Sequence, residues 1–147
     1  MSDTQNIVVE EHFPHAPELI WKALTDGALM QKWMMPPSGF EAVEGREFTF
    51  TTTPAGDWDG TIRCRVLEVV LHQRFAYSWQ GGHEGNVGYG SKLDTVVSWT
   101  LTPSEGGTRL RMVHSGFVLP QNEVALTNMS GGWKKVLPRL GETLNEA

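Results

Sequence analysis

Phosphate binding is the first chemistry that the residue types suggest, because Gly85 and Gly90 stand at the spacing of the two glycines of a P-loop. A P-loop continues with Lys and then Ser or Thr, and a helix N-terminus follows to face the phosphate. Here Ser91 precedes Lys92, and the residues after them are typical of a strand. We therefore interpret 81–90 as a glycine-rich hairpin loop and expect no nucleotide or other cofactor.

Histidines offer metal ligation and nucleophilic catalysis, and their spacing argues against both. His12 and His15 stand three residues apart at the end of a predicted strand, so their side chains would point to opposite faces. His114 and Ser115 are strand neighbours, whose side chains diverge and cannot form a nucleophile–base unit. We expect no bound metal and no catalytic residue.

Bulky side chains on one face of the predicted sheet favour ligand binding. Counting by twos from Leu110 and Met112 places His114 on this apolar face, either as a hydrogen-bonded core histidine or as a polar group that orients a ligand. A sheet covered by a single helix has more concave surface than one helix stripe fills, so we expect a cavity. Its predicted lining comprises Trp33, Phe50, Cys64, Trp79, Trp99, Met112, His114, Met129 and Trp133.

The first part of the chain predicts one strand and two short helices. Ile7–Phe13 is rich in β-branched residues, which are typical of strands. From Pro17 the apolar residues recur at helical spacing. The pair Asp26-Gly27 predicts the end of this helix, because Gly readily takes the left-handed conformation. A second short helix is predicted over 28–34, where two prolines end it.

Alternating residues from Phe48 to His114 predict a series of antiparallel strands. The inward set is Phe50, Cys64, Trp79, Trp99, Met112 and His114, and the outward set is Arg63, Arg65, Arg109 and Arg111. After Pro120 the apolar residues return to helical spacing and share one stripe. We expect a bend near Gly131-Gly132 and Pro138. The order of elements predicts an α+β fold, in which a long C-terminal helix covers the apolar face of an antiparallel sheet.

Composition limits the class of protein. The 147 residues suit a single domain, 1–147, and the formal charge of −5 disfavours nucleic acid as a partner. Cys64 is the only cysteine, which fits a reducing compartment. The N-terminus lacks the pattern of a signal peptide, and no apolar run reaches the roughly 20 residues that span a bilayer. We expect a cytoplasmic protein without membrane insertion.

Segments along nearly the whole chain resemble the START-like (SRPBCC) helix-grip superfamily. Within it they are most similar to the family called activator of heat-shock-protein-90 ATPase homologue-like. The matching segments are Phe13–Asp26, Leu29 with Trp33–Pro36, Gly45–Phe50, Val66–Val69, Arg74–Trp79, Gly107-Thr108 with His114–Phe117, and Gly132-Trp133 followed by Leu137, Leu140 and Leu144. Met34 stands where the family often has a second Trp. The resemblance implies a curved antiparallel sheet wrapped around a long C-terminal helix, with two short helices after the first strand and a cavity between sheet and helix.

Three classes of function follow from the resemblance. Superfamily members bind apolar small molecules, some catalyse cyclisation or hydrolysis, and the namesake domain stimulates a chaperone ATPase. We predict binding of a small apolar or aromatic molecule in the cavity without turnover, because His114 is the only good acid or base candidate on the inner face and has no evident partner. One alternative is a cyclase- or hydrolase-type enzyme that uses the same cavity. The other is a co-chaperone-like or stress-response protein with a chaperone partner.

Overall fold

A computed structural model of the chain describes residues 3–86 and 89–146. Val87 and Gly88 of the predicted hairpin loop lie outside the described residues. The elements, in chain order, are β1 (Asp3–Phe13), α1 (Pro17–Thr25), α2 (Gly27–Trp33), β2 (Glu47–Thr51), β3 (Thr61–Val70), β4 (Arg74–Gly81), β5 (Leu93–Ser104), β6 (Gly107–Leu119) and α3 (Glu123–Glu146).

The strands form one antiparallel sheet in the order β1-β6-β5-β4-β3-β2. Every strand after β2 pairs with the strand before it, and β1 crosses to the outer side of β6. The sheet curves, and α3 lies on its concave side. The predicted α+β helix-grip fold is confirmed.

Side chains along the strands alternate between the core and the surface, because successive residues of a strand point to opposite faces. The buried set includes the predicted inward residues, Phe50, Cys64, Trp79, Trp99, Met112 and His114. The exposed set includes the predicted outward arginines, Arg63, Arg65, Arg109 and Arg111. The register predicted from the sequence is therefore correct on β2, β3, β4, β5 and β6.

Asp26 separates the two short helices by capping the second. Its backbone is extended, with φ −109° and ψ 116°, and its carboxylate accepts hydrogen bonds from the backbone N–H groups of Ala28 at 2.9 Å and Leu29 at 3.4 Å. The prediction that Gly27 ends α1 in the left-handed conformation is wrong, because Gly27 is the first residue of α2. Asp26 leaves the helical conformation and offers an N-cap oxygen, so α1 ends there.

The long helix α3 runs without interruption through Gly131, Gly132 and Pro138. Its buried stripe follows three- and four-residue spacing and comprises Trp133, Leu137, Leu140 and Leu144. The helix packs against α1, α2, β1 and β6. Among the described residues, no helix combines the length and apolar composition needed to cross a membrane.

Candidate functional site

A pocket of about 370 Å³ opens beside α3, on the side away from β1. This volume lies within the range of about 300–1,000 Å³ that is common for small-molecule sites. The pocket lies where α3 faces the ends of β3, β4 and β5 and the loops beyond them. Its aromatic and sulfur-containing lining consists of Trp58, Trp79, Tyr89, Trp133, Met34, Met35 and Met129.

One face of α3 forms a wall of the pocket. Asn128, Gly132, Lys135 and Arg139 recur at intervals of three or four residues and all line it. Gly132 creates space on this wall, because a Cβ atom built there meets no other atom within 4 Å. Among the glycines that line the pocket, Gly132 is therefore the one at which a larger side chain enters most easily.

Two loops form the opposite wall, and their side chains hold them together. The Tyr89 hydroxyl donates a hydrogen bond to the carbonyl of Thr53 at 2.7 Å, and its ring lies 6.1 Å from that of Trp58. The Asn86 amide donates to the carbonyls of Ala55 at 2.8 Å and Gly90 at 3.1 Å. The bonds to Thr53 and Ala55 join the β2–β3 loop to the β4–β5 loop, and the bond to Gly90 lies within the latter.

Gly82 permits the close approach of the chain at this wall. Its φ is +75°, and a Cβ atom there would lie 2.1 Å from the carbonyl oxygen of Ser91. Only glycine fits such a position without displacing the backbone. The glycine at position 82 thus reflects the packing of backbone against backbone.

The structure divides the nine predicted lining residues into two groups. Trp79, Met129 and Trp133 line the pocket. The other six lie outside its lining and are buried in the core: Trp33, Phe50, Cys64, Trp99, Met112 and His114. They fill the space between the sheet and the helices with edge contacts, such as the 5.7 Å separation of the Trp33 and Trp99 rings. Alternation identifies which side chains of a strand face inward, but it does not show which of them are covered by other side chains and which line a pocket.

His114 lies outside the pocket lining, next to Trp133, and both of its ring nitrogens are hydrogen-bonded. The indole N–H of Trp133 donates to Nδ1 at 3.1 Å, and Nε2 lies 2.7 Å from the Thr95 hydroxyl oxygen. Because an indole can only donate, Nδ1 must be the unprotonated nitrogen and Nε2 carries the proton. The Thr95 hydroxyl donates in turn to the carbonyl of Trp79 at 2.8 Å. His114 is therefore a neutral member of a hydrogen-bonded chain.

Burial shifts the pKa values of His114 and Cys64 on the inner face. It lowers the pKa of His114 from 6.5 to about 3, since the imidazolium form loses its hydration there. Burial raises the pKa of the Cys64 thiol from 9.0 to about 12, because the charged thiolate form would also lose its hydration. At neutral pH both side chains are uncharged, which makes His114 a poor proton donor and Cys64 a poor nucleophile.

Comparison with known proteins identifies the family. The family model described as Activator of Hsp90 ATPase homolog 1-like protein matches residues 14–145. The chain belongs to this family. No curated protein matches the sequence of this family member significantly.

Solved structures share the fold of this family member. The protein MLL2253 from Mesorhizobium loti is 33% identical, with 97% of this chain and 98% of that protein covered and a TM-score of 0.84. CalU16 from Micromonospora echinospora is 20% identical, with 98% and 86% covered and a TM-score of 0.72. DynU16, a protein of the dynemicin biosynthetic locus, is 24% identical over 95% of this chain and 47% of its own, with a TM-score of 0.72.

Several pocket residues of this family member were missed by sequence reasoning. Trp58 and Tyr89 lie in loops, where no periodicity marks the side chains that face inward. Met34 and Met35 follow α2 and belong to no regular element. The positions on α3 had a usable signal, because 128, 132, 135 and 139 share a helical face beside the buried stripe. Among the described residues, no group of three or more His, Cys, Asp or Glu side chains is placed to hold a metal ion.

Proposed function

We propose that the chain binds one small, largely apolar molecule in this pocket and releases it unchanged. The observation that carries the proposal is the concentration of aromatic and sulfur-containing side chains around a pocket of about 370 Å³. Such side chains offer large apolar contact areas, and Met adapts to irregular shapes. A ligand in contact with them would displace water from apolar surface, which favours binding.

Trp79 supports binding by a second observation. Its side chain lines the pocket, yet its indole nitrogen is buried and has no hydrogen-bond partner among the described residues. A buried donor without a partner costs about 1–3 kcal/mol. The nitrogen itself does not reach the pocket surface, so a ligand with an acceptor group would recover part of that cost only after the ring turned.

The surroundings of His114 favour binding over turnover. An acid–base catalyst needs a pKa near the working pH and reach to the reacting atoms. His114 has a pKa lowered to about 3, and Trp133 and Thr95 occupy its two nitrogens. A cyclase- or hydrolase-type reaction would therefore need another group, and the chaperone alternative is supported by the family description alone.

The proposal is tested by filling the pocket from α3. Gly132→Leu places a side chain into the lining, whereas Gly131→Leu adds the same side chain at the neighbouring exposed position, which also has no atom within 4 Å of a built Cβ. Binding of the neutral fluorescent probe N-phenyl-1-naphthylamine is titrated for each protein. We expect saturable binding to the wild type and to Gly131→Leu, and its loss in Gly132→Leu. Equal binding by both variants, or none by the wild type, would overturn the proposal.

A further inference from the structure

Two cationic side chains on the pocket wall have no anionic partner among the described residues. Lys135 and Arg139 both line the pocket and are exposed. The ion pairs among the described residues involve Arg46, Arg65, Arg74, Arg109 and Arg111, and neither Lys135 nor Arg139 takes part. Like charges four residues apart on a helix repel each other. An anion between them would relieve that repulsion.

The local charge of the pocket is opposite to that of the whole chain. The chain carries a formal charge of −5, with 17 acidic residues. The described pocket lining nevertheless contains Lys135 and Arg139 and no Asp or Glu. Attraction of an anion must therefore come from the pocket itself, because the rest of the chain repels it.

The apolar lining complements this charge with flat surfaces. Trp58, Trp79 and Trp133 contribute indole rings, which favour edge and offset contacts with other aromatic rings. Resting on the proposed function, we propose that the ligand is an aromatic carboxylate. Its ring system lies among the three tryptophans, and its carboxylate pairs with Lys135 and Arg139. Arg139 suits this role because a guanidinium binds a carboxylate through two parallel hydrogen bonds.

The test compares an acid with its neutral isostere. Binding of 2-naphthoate and 2-naphthamide is measured by calorimetry for the wild type, for Lys135→Gln/Arg139→Gln and for Lys134→Gln. Lys134 is the matched control, because it is exposed on α3 next to Lys135 but does not line the pocket. We expect the wild type to bind 2-naphthoate about tenfold more tightly than 2-naphthamide, because a charge-assisted hydrogen bond at a partly exposed site contributes about this much. The double variant should lose this preference and keep its affinity for the amide, while Lys134→Gln should keep both.

The outcomes separate this inference from the proposed function. If the wild type binds the amide as tightly as the acid, the anion inference is overturned and the apolar site stands. If neither compound binds the wild type, both fail. If Lys134→Gln weakens naphthoate binding as much as the double variant does, the effect is long-range and the local pairing is overturned. Naphthoate binding that survives Gly132→Leu would place the anion outside this pocket and overturn the inference as well.

Discussion

The indole nitrogen of Trp133 lies 3.1 Å from Nδ1 of His114 and donates a hydrogen bond to it. This bond joins α3 to β6 inside the core, since both side chains are almost fully buried. Trp133 also lines the pocket, so one side chain contacts both the pocket and the buried histidine.

Trp133→Phe should destabilise the protein by about 1–3 kcal/mol, because it leaves Nδ1 of His114 buried without a donor. The free energy of unfolding, measured in urea, checks this. Trp58→Phe is the control, because Trp58 donates to the carbonyl of Thr61 at 2.9 Å from a partly exposed position and its loss should cost less. Equal costs for the two variants would contradict a special role for the Trp133–His114 bond.

The stability of the protein should fall as the pH is lowered from 6.5 towards 3. The pKa of His114 is about 3 in the folded state and about 6.5 in an unfolded chain, so the unfolded chain binds the extra proton across this range. The stabilisation from a neutral His114 is complete above pH 6.5 and is lost by about 1.4 kcal/mol per pH unit between pH 6.5 and about 3.

Urea unfolding at pH 7 and pH 5 measures this contribution. His114→Gln removes the titrating group and should flatten the dependence, whereas the exposed His12→Gln should leave it in place. A wild-type slope that persists in His114→Gln would show that other groups cause it.

Cys64 should resist alkylation in the folded protein at neutral pH. The thiol is buried, and its pKa is raised to about 12, so the reactive thiolate is scarce. Labelling by iodoacetamide, followed by mass spectrometry, should become rapid only in denaturant. Rapid labelling without denaturant would show that the β3 region opens readily.

Gly131→Ala should stabilise the protein by about 1 kcal/mol, because alanine has the higher helix propensity and the added Cβ meets no atom within 4 Å. The melting temperature should rise by about 2–4 °C for a chain of this size. Gly82→Ala provides the contrast, since its φ of +75° and the nearby Ser91 carbonyl make any side chain unfavourable. A melting temperature that falls in Gly131→Ala would indicate that α3 is not regular at this position.

The fold was predictable because its signals are periodic. Alternation from Phe48 to His114 gave the correct faces of the strands, and the stripe through Trp133 and Leu140 gave the face of α3. The junction at Asp26 was harder, because capping and termination use the same residue types there. Whether such a pair ends one helix or caps the next depends on the hydrogen bonds that its side chain makes.

The site was only partly predictable because a bulky side chain has the same pattern in a core and in a pocket. Phe50 and Trp79 are both buried, and their rings lie 5.6 Å apart, yet only Trp79 lines the pocket. Which of these buried rings lines the pocket depends on how α3 and the loops lie over the sheet. This arrangement exists only in the assembled fold. Trp58 and Tyr89 depend on loop conformation, which carries no periodic signal.

The loop wall held by Asn86 and Tyr89 separates the requirement for a stable sheet from the requirement for a pocket whose shape can change. Side-chain bonds to loop carbonyls hold this wall, while the strand ladders that define the fold lie outside it. Sequence changes in the two loops, 52–60 and 82–91, except at Gly60 and Gly82, should therefore change the shape of the pocket with little effect on the sheet. This arrangement marks the two loops, with Gly60 and Gly82 kept, as the segments to randomise when engineering a sensor for a chosen compound.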